Sequence, residues 1–408
     1  MTQQQSGQAS ADPTGQFGSR ARSVLFILLA TILFFSTFSI AGTQITLALA
    51  FLLWLVIALV SKRFRFAGTM LDLPIFLFIA TSLAAAIFSD ERYASILGLK
   101  NLLLASVVYL FTFNVRDRTE VRRLLIVLFL SGTASAVYGI VIYAMGHGDG
   151  GLGRTPGSFS IAMTFGGVML VLCSLALGPA IGSSLQWRLR LPALSMVSIG
   201  LVALLLSFTR SSWVGMVAAA VVVFSILRKR WLIPLIGCMI VLYLVLPDAL
   251  QQRVSTIWDP TYRTNIHRMQ LFRGGVKIFY DYPVLGVGTR DLGELYRRYK
   301  PPEAVYIYGH MHNIFLQVAV TTGIVGLAAF CYLLISCFRL LIANLRLGLP
   351  PPDRAWVAGS IGALVGFIVN GLFEWNFGDA EVVTLFYIML GMNCAIPRIH
   401  IRKCNSLL

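Results

Sequence analysis

With 408 residues, of which 57% are hydrophobic and only 12% charged, the chain carries more apolar surface than a water-soluble fold can hide. Its net charge of +16 would suit nucleic acid or anionic lipid and phosphate, but the basic residues are scattered between apolar stretches, which excludes a nucleic-acid partner. Five of the six cysteines lie in those stretches and the sixth, Cys404, near the end of the chain, so a disulfide-stapled secreted domain is excluded as well.

Residues 1–19, rich in Gln, Ser and Gly, read as a disordered cytoplasmic tail. Apolar runs of the roughly 17–25 residues that cross a bilayer then follow. They fall near 24–40, 43–60, 72–88, 95–114, 123–145, 159–181, 191–208, 212–227 and 231–247, the nine spans of region 20–247. Three more, near 312–341, 355–373 and 380–396, make up region 312–396, and 397–408 reads as a second cytoplasmic tail. The first run resembles a signal peptide but leads almost directly into the second, so it reads as a retained span. The predicted fold is an all-α integral membrane protein with about twelve transmembrane helices.

Charge sets the expected orientation. With a cytoplasmic N-terminus, twenty Lys and Arg fall in inside segments and only Arg92, Lys100, Arg154 and Arg210 in short outside ones. Short cytoplasmic loops retain positive charge, so both termini are expected inside. The remaining nine basic residues lie in one long outside loop, 248–311. Long loops translocate regardless of charge. Within it, Ile266, Met269, Phe272, Val276 and Phe279 recur at helical spacing and predict an amphipathic helix ended by Tyr282-Pro283. A second short helix is expected from Arg290 to Lys300, before Pro301-Pro302. The apolar stripe suits a helix resting on the membrane surface.

As one straight helix, 312–341 would be about 45 Å long against a hydrocarbon core of roughly 30 Å. Thr322-Gly323 offers a break, predicting a short helix that dips in from the outer surface and then a full crossing. His312 stands at its entrance. There it could cap the helix, or act as a neutral imidazole ready to take a proton at a helix end that also attracts phosphate. Arg210, in the outside turn between two spans, either snorkels to the interface or joins Arg268 in gripping an anion bidentately. The segment Gly146–Gly157 has six glycines in twelve residues and suits either close backbone approach to a ligand or a plain flexible loop. His267, His310 and His312 lack a completing Cys or acidic pair for zinc, and there is no phosphate-binding loop for ATP. Glu374 and Asp379 read as polar loop groups behind the site.

Taken together, these residues resemble the O-antigen ligase/polymerase superfamily of bacterial envelope proteins. Tyr282-Pro283-Val284-Leu285-Gly286-Val287-Gly288, then His312-Asn313 with Leu316, Gln317 and Gly323-Ile324-Val325-Gly326, is similar to its C-terminal signature. Thr209-Arg210 leading into Trp213 is similar to its Ser-Arg-Gly motif, Arg268 with Phe272 to its Arg and Trp, and Gly153-Arg154 with Gly157 and Phe159 to its Gly-Arg loop. Ser211 and Phe272 depart from the usual Gly and Trp, and an Asn-Pro-Asn after the Gly-Arg loop is missing.

The resemblance implies a C-type glycosyltransferase-like membrane fold in the bacterial inner membrane, with a periplasmic active site and no cofactor. Length, span number and the single long loop resemble the ligase more than the polymerase or the protein O-oligosaccharyltransferase. The expected donor is O-antigen on undecaprenyl diphosphate and the expected acceptor is the lipid A-core oligosaccharide. His312 is the implied catalytic base, Arg210 and Arg268 the diphosphate ligands, and Arg154, Asn313 and His310 further substrate contacts. No metal is implied. A lipid-linked-anion transporter would instead carry its polar groups at mid-membrane.

Overall fold

The computed structural model describes residues 13–61, 68–148, 153–182 and 187–405. The first half contains α1 (Pro13–Phe35), α2 (Ile40–Ser61), α3 (Asp72–Ile87), α4 (Arg92–Gly98), α5 (Ser106–Asn114) and α6 (Arg118–Ala144), with a 3-10 stretch, Leu99–Ala105, joining α4 to α5. Next come α7 (Ala162–Ile181), α8 (Trp187–Leu206), α9 (Arg210–Leu227) and α10 (Leu232–Val245). The polar loop holds α11 (Asp248–Ser255), α12 (Arg263–Asp281) and α13 (Gly293–Tyr299). The chain then finishes with α14 (Ile314–Arg346), α15 (Pro351–Gly371) and α16 (Ala380–Asn405).

Each expected span falls on helical structure, although 95–114 is divided among α4, the 3-10 stretch and α5. Nine helical segments among the described residues are long and apolar enough to cross a membrane, or ten if α10 and α11 form one span bent by 120°. The protein is therefore an all-α, multi-pass membrane protein. Helix α1 starts at Pro13, inside the stretch expected to be a disordered tail, and α16 runs to Asn405, past the expected end of its span. Lys62, Arg63 and Arg65 and the middle of the glycine-rich loop lie outside the described residues.

Helix α7 is the hub, buried over nearly its whole length among α8, α9, α15 and α16. Helices α9 and α15 cross where Gly215 faces Gly366. A Cβ added at either would lie within 3 Å of the other's carbonyl oxygen, the small-residue contact that lets membrane helices approach closely. Asn393 of α16 donates to Ser360 Oγ of α15 at 3.0 Å, and Asn344 of α14 donates to the Asn393 carbonyl at 2.9 Å.

Helix α14 breaks at Gly323 (φ 64°, ψ −167°), the position expected from sequence. A break deep in an apolar bundle frees backbone groups that must find partners within the protein. The segment after α12 supplies them. Ile324 N donates to Pro283 O (2.8 Å), Val287 N to Val320 O (3.0 Å) and Gly288 N to Thr321 O (3.0 Å). Side chains cannot fit between these strands of backbone, since a Cβ at Gly323 would lie 2.1 Å from Val284 O and one at Gly286 2.5 Å from the Thr321 carbonyl carbon. Ser89 Oγ then accepts the role of anchor on the far side, donating to Val287 O at 2.7 Å.

Gly323→Ala is expected to cost about 3 kcal/mol or more through the disfavoured backbone conformation and the clash. Thermal unfolding in detergent checks this, and a melting temperature within a degree of wild type would refute it.

Candidate active site

Residues 308–312, between the polar loop and α14, carry the central side chains. Asn313, not His312, is the N-cap of α14: its Oδ1 accepts from Leu316 N at 2.9 Å and its Nδ2 donates to Leu372 O at 2.9 Å. The expected capping role for His312 is thus corrected. A short amide side chain at the cap position reaches the free N–H groups of the first turn, whereas His312, one residue earlier with φ 47°, turns away from the helix. Asn313 is occupied by these two structural bonds and does not line the cavity below.

His312 instead meets Glu374, in the connection from α15 to α16. The Nδ1–Oε1 distance is 2.8 Å, and both residues are buried. Glu374 Oε1 also accepts from Trp375 N at 3.2 Å, and Arg268 Nη2 lies 3.8 Å from Oε2. Burial alone would push the Glu374 carboxyl up, but the charge and hydrogen bond of His312, then the charge of Arg268, hold it below its usual range at about 2. An ionised Glu374 can only accept, so in the neutral imidazole the proton sits on Nδ1 and Nε2 is left as a base. The His310 ring lies 4.2 Å from that of His312, centroid to centroid, and Tyr308 meets the His312 ring edge-on at 5.2 Å. Burial, then the neighbouring His312, lowers the His310 pKa.

Beside His312 lies a cavity of about 160 Å³ lined by Arg154, Arg210, Arg253, Arg268, Tyr308 and His312, among others, with no carboxylate among its described lining residues. Each arginine is positioned by a different element. Arg210 opens α9 just after Phe208, held at φ 51°. Its Nη1 donates to Thr256 O and Oγ1, its Nη2 to Thr264 Oγ1 (2.6 Å) and Asn265 Oδ1 (2.8 Å), and its guanidinium lies 5.0 Å from the Tyr262 ring centroid. Arg154 donates to Ser207 O (3.0 Å) and Thr209 Oγ1 (3.1 Å), which docks the Gly-Arg loop on the α8–α9 turn. Arg253 of α11 donates to Phe208 O and to Tyr262 Oη. Arg268 projects from α12; burial lowers its pKa, Glu374 opposes that, and Arg253 adds to it.

Four of the six residues singled out from sequence, Arg154, Arg210, Arg268 and His312, therefore share one cavity, and His310 abuts it. Arg253, Tyr308 and His267 were not assigned there, whereas Glu374, read as a polar group behind the site, is the partner of His312. Glu374 lies 62 positions from His312, and its one sequence signal was an acid just beyond an apolar span. The inward face of α12 is also not the predicted stripe. Leu271, Gly274, Gly275 and Ile278 are buried, whereas Ile266, Met269 and Val276 are exposed, as suits contact with a membrane surface.

A buried His–Glu pair beside four converging arginines, on a scaffold of apolar helices, has the chemistry to hold an anion and move a proton. Residues 194–331 match the family model described as O-Antigen ligase. That segment, about a third of the chain, is thus similar to the O-antigen ligase family. The matched segment contains Arg210, Arg268, His310 and His312 but neither Arg154 nor Glu374. No curated protein matches the chain.

Behind the site, half-buried Asp379 accepts from Thr164 Oγ1 at 3.2 Å. Burial, then the charges of Glu374 and Glu381, push its carboxyl up to about 8. The folded state thus holds this proton more tightly than the unfolded chain, whose carboxyl titrates near 3.8. Stability from Asp379 is full below that value and is lost as pH rises towards 8. Asp379→Asn should therefore flatten the fall in melting temperature between pH 4 and 8; an unchanged pH profile would show that Asp379 titrates normally.

Proposed function

We propose that the protein is an O-antigen ligase that transfers O-antigen from undecaprenyl diphosphate to the lipid A-core oligosaccharide on the periplasmic face of the bacterial inner membrane. The observation that carries this reading is His312, oriented by Glu374, at the edge of a cavity ringed by four arginines. The diphosphate of the donor lies among Arg210, Arg268, Arg253 and Arg154, whose planar guanidinium groups match phosphate oxygens. The acceptor hydroxyl attacks the anomeric carbon as the bond from that carbon to the phosphate oxygen breaks. Its proton passes to His312 Nε2, and undecaprenyl diphosphate leaves with the bonding electrons. Because the arginines sit in a poorly hydrated cavity, they stabilise the growing diphosphate charge more than they would in water. The glycosyl–phosphate bond supplies the energy, which fits the absence of a nucleotide-binding motif.

One ligand atom each from His310, His312 and Glu374 lie within 4.8 Å of one another, close enough for a metal ion. The Arg268 guanidinium near the free oxygen of Glu374 opposes a second cation there. We therefore assign the trio to proton handling. A polymerase of the same superfamily would use the same chemistry with a lipid-linked acceptor.

Purified protein with undecaprenyl-diphosphate glycan and rough lipopolysaccharide, in EDTA and without ATP, is expected to give a lipopolysaccharide ladder. Glycan lengthening on its lipid carrier would instead identify a polymerase, and loss of product in EDTA a metal enzyme. No product with either acceptor would favour transport.

In the same assay His312→Ala should abolish transfer. Glu374→Gln should lower it by about 10²- to 10⁴-fold, since the amide can present its N–H to Nδ1 and favour the wrong tautomer. Full activity in both variants would remove His312 and its partner from catalysis.

A further inference from the structure

A second cavity, of about 250 Å³, adjoins the site and shares no lining residue with the arginine cavity. The chain around His312 divides the two. Tyr308 and His312 line the basic cavity, while Gly309, between them, lies against Asp291, which lines the second: a Cβ at Gly309 would be 2.1 Å from Asp291 Oδ2. Gln317, also lining the second cavity, accepts from Met311 N at 2.8 Å through Oε1. Trp375, the neighbour of Glu374, lines the second cavity too. Both cavities therefore touch the catalytic segment, from different sides.

Their chemistry differs. Four arginines ring the first. In the second, the charged lining residues are one cation, Arg290, and one anion, Asp291, and Arg290 also pairs with Glu91 outside the lining. The Arg290 side chain is 92% buried, yet its Nε has no hydrogen-bond partner, a donor whose burial is costly unless a ligand accepts from it. Asn101 donates to Gly378 O at 2.7 Å, which leaves its carbonyl oxygen to accept, and Gln317 keeps its amide N–H groups to donate. Trp375 and Phe377 add aromatic surface. Near-neutral charge, mixed donors and acceptors and aromatic rings suit a sugar ring better than a phosphate. The volume, a little under the roughly 300 Å³ at which small-molecule sites begin, fits one sugar unit.

We propose that this cavity binds the sugar residue of the acceptor that bears the attacking hydroxyl. The proposal rests on the glycosyl-transfer reading above. Displacement at the anomeric carbon requires the hydroxyl to approach from the side opposite the leaving group. With diphosphate held in the basic cavity, a sugar seated in the second lies on the other side of the His312 segment, so its attacking hydroxyl must reach past that segment to the anomeric carbon, where His312, which lines the basic cavity, takes the proton.

The test uses the full-length protein with core oligosaccharide released from rough lipopolysaccharide as acceptor and undecaprenyl-diphosphate glycan as donor. Asn101→Ala and Trp375→Phe should each raise the acceptor KM about tenfold, the worth of roughly one good contact, with the donor KM unchanged, and Trp375→Phe should also leave the melting temperature unchanged. The oligosaccharide alone should quench a part of the tryptophan fluorescence that is missing in Trp375→Phe, and Asn101→Ala should weaken that binding. A rise in donor KM instead, a fall confined to kcat, or no quenching would overturn the proposal. Should the wild-type protein transfer no glycan at all, the functional reading fails, and the fluorescence titration still decides whether the cavity binds sugar.

Discussion

The break in α14 is the constraint on which the site depends. A helix interrupted at Gly323 leaves amide and carbonyl groups unpaired among apolar helices, where each would cost free energy comparable to a lost hydrogen bond. The segment Pro283–Gly288 pairs with them across Val320–Ile324. This pairing fastens the polar loop to the membrane bundle at the end of α12. It also fixes the first part of α14, and so the approach of residues 308–312. A conformation that looks like a local irregularity thus sets the position of His312 relative to helices far away in sequence.

The second organising force is electrostatic. Four arginines converge on a small cavity, and each is held by hydrogen bonds, ring contacts or an ion pair to groups other than substrate. Like charges packed in this way repel, and burial weakens their hydration. The unfavourable arrangement would be relieved by an anion, which is what supports the diphosphate reading. Glu374 is hydrogen-bonded to His312 and lies 3.8 Å from Arg268. It serves the base and one arginine at once, and its ionised form fixes which imidazole nitrogen is free.

Arg210 shows how structure and ligand binding overlap. Its guanidinium already bridges the α8–α9 turn to Thr256, Thr264 and Asn265 of the polar loop. The same side chain that would contact diphosphate therefore ties the cover of the cavity to the membrane helices. An anion bound there would draw on the donors that already hold the polar loop to the membrane helices.

Much of this was legible in the chain. Runs of apolar residues announced an all-α membrane protein and the order of its helices, because a bilayer admits little else. Glycine at 323 announced the break, since helices of that length need one, and the motifs at 153–154, 209–210, 268 and 312 pointed to the arginine–histidine site. Other features could only come from the tertiary structure. Which face of α12 turns inward was decided by Gly274 and Gly275, which let Tyr296, Met311 and Leu316 pack closely, while Ile266, Met269 and Val276 of the more obvious apolar stripe were left outside. Glu374 became the partner of His312 only because the α15–α16 connection folds over the start of α14. Periodicity and motif spacing act along the chain, so they determine helices and single residues; contacts between distant segments arise from packing and charge compensation in three dimensions, and those alone assembled the site.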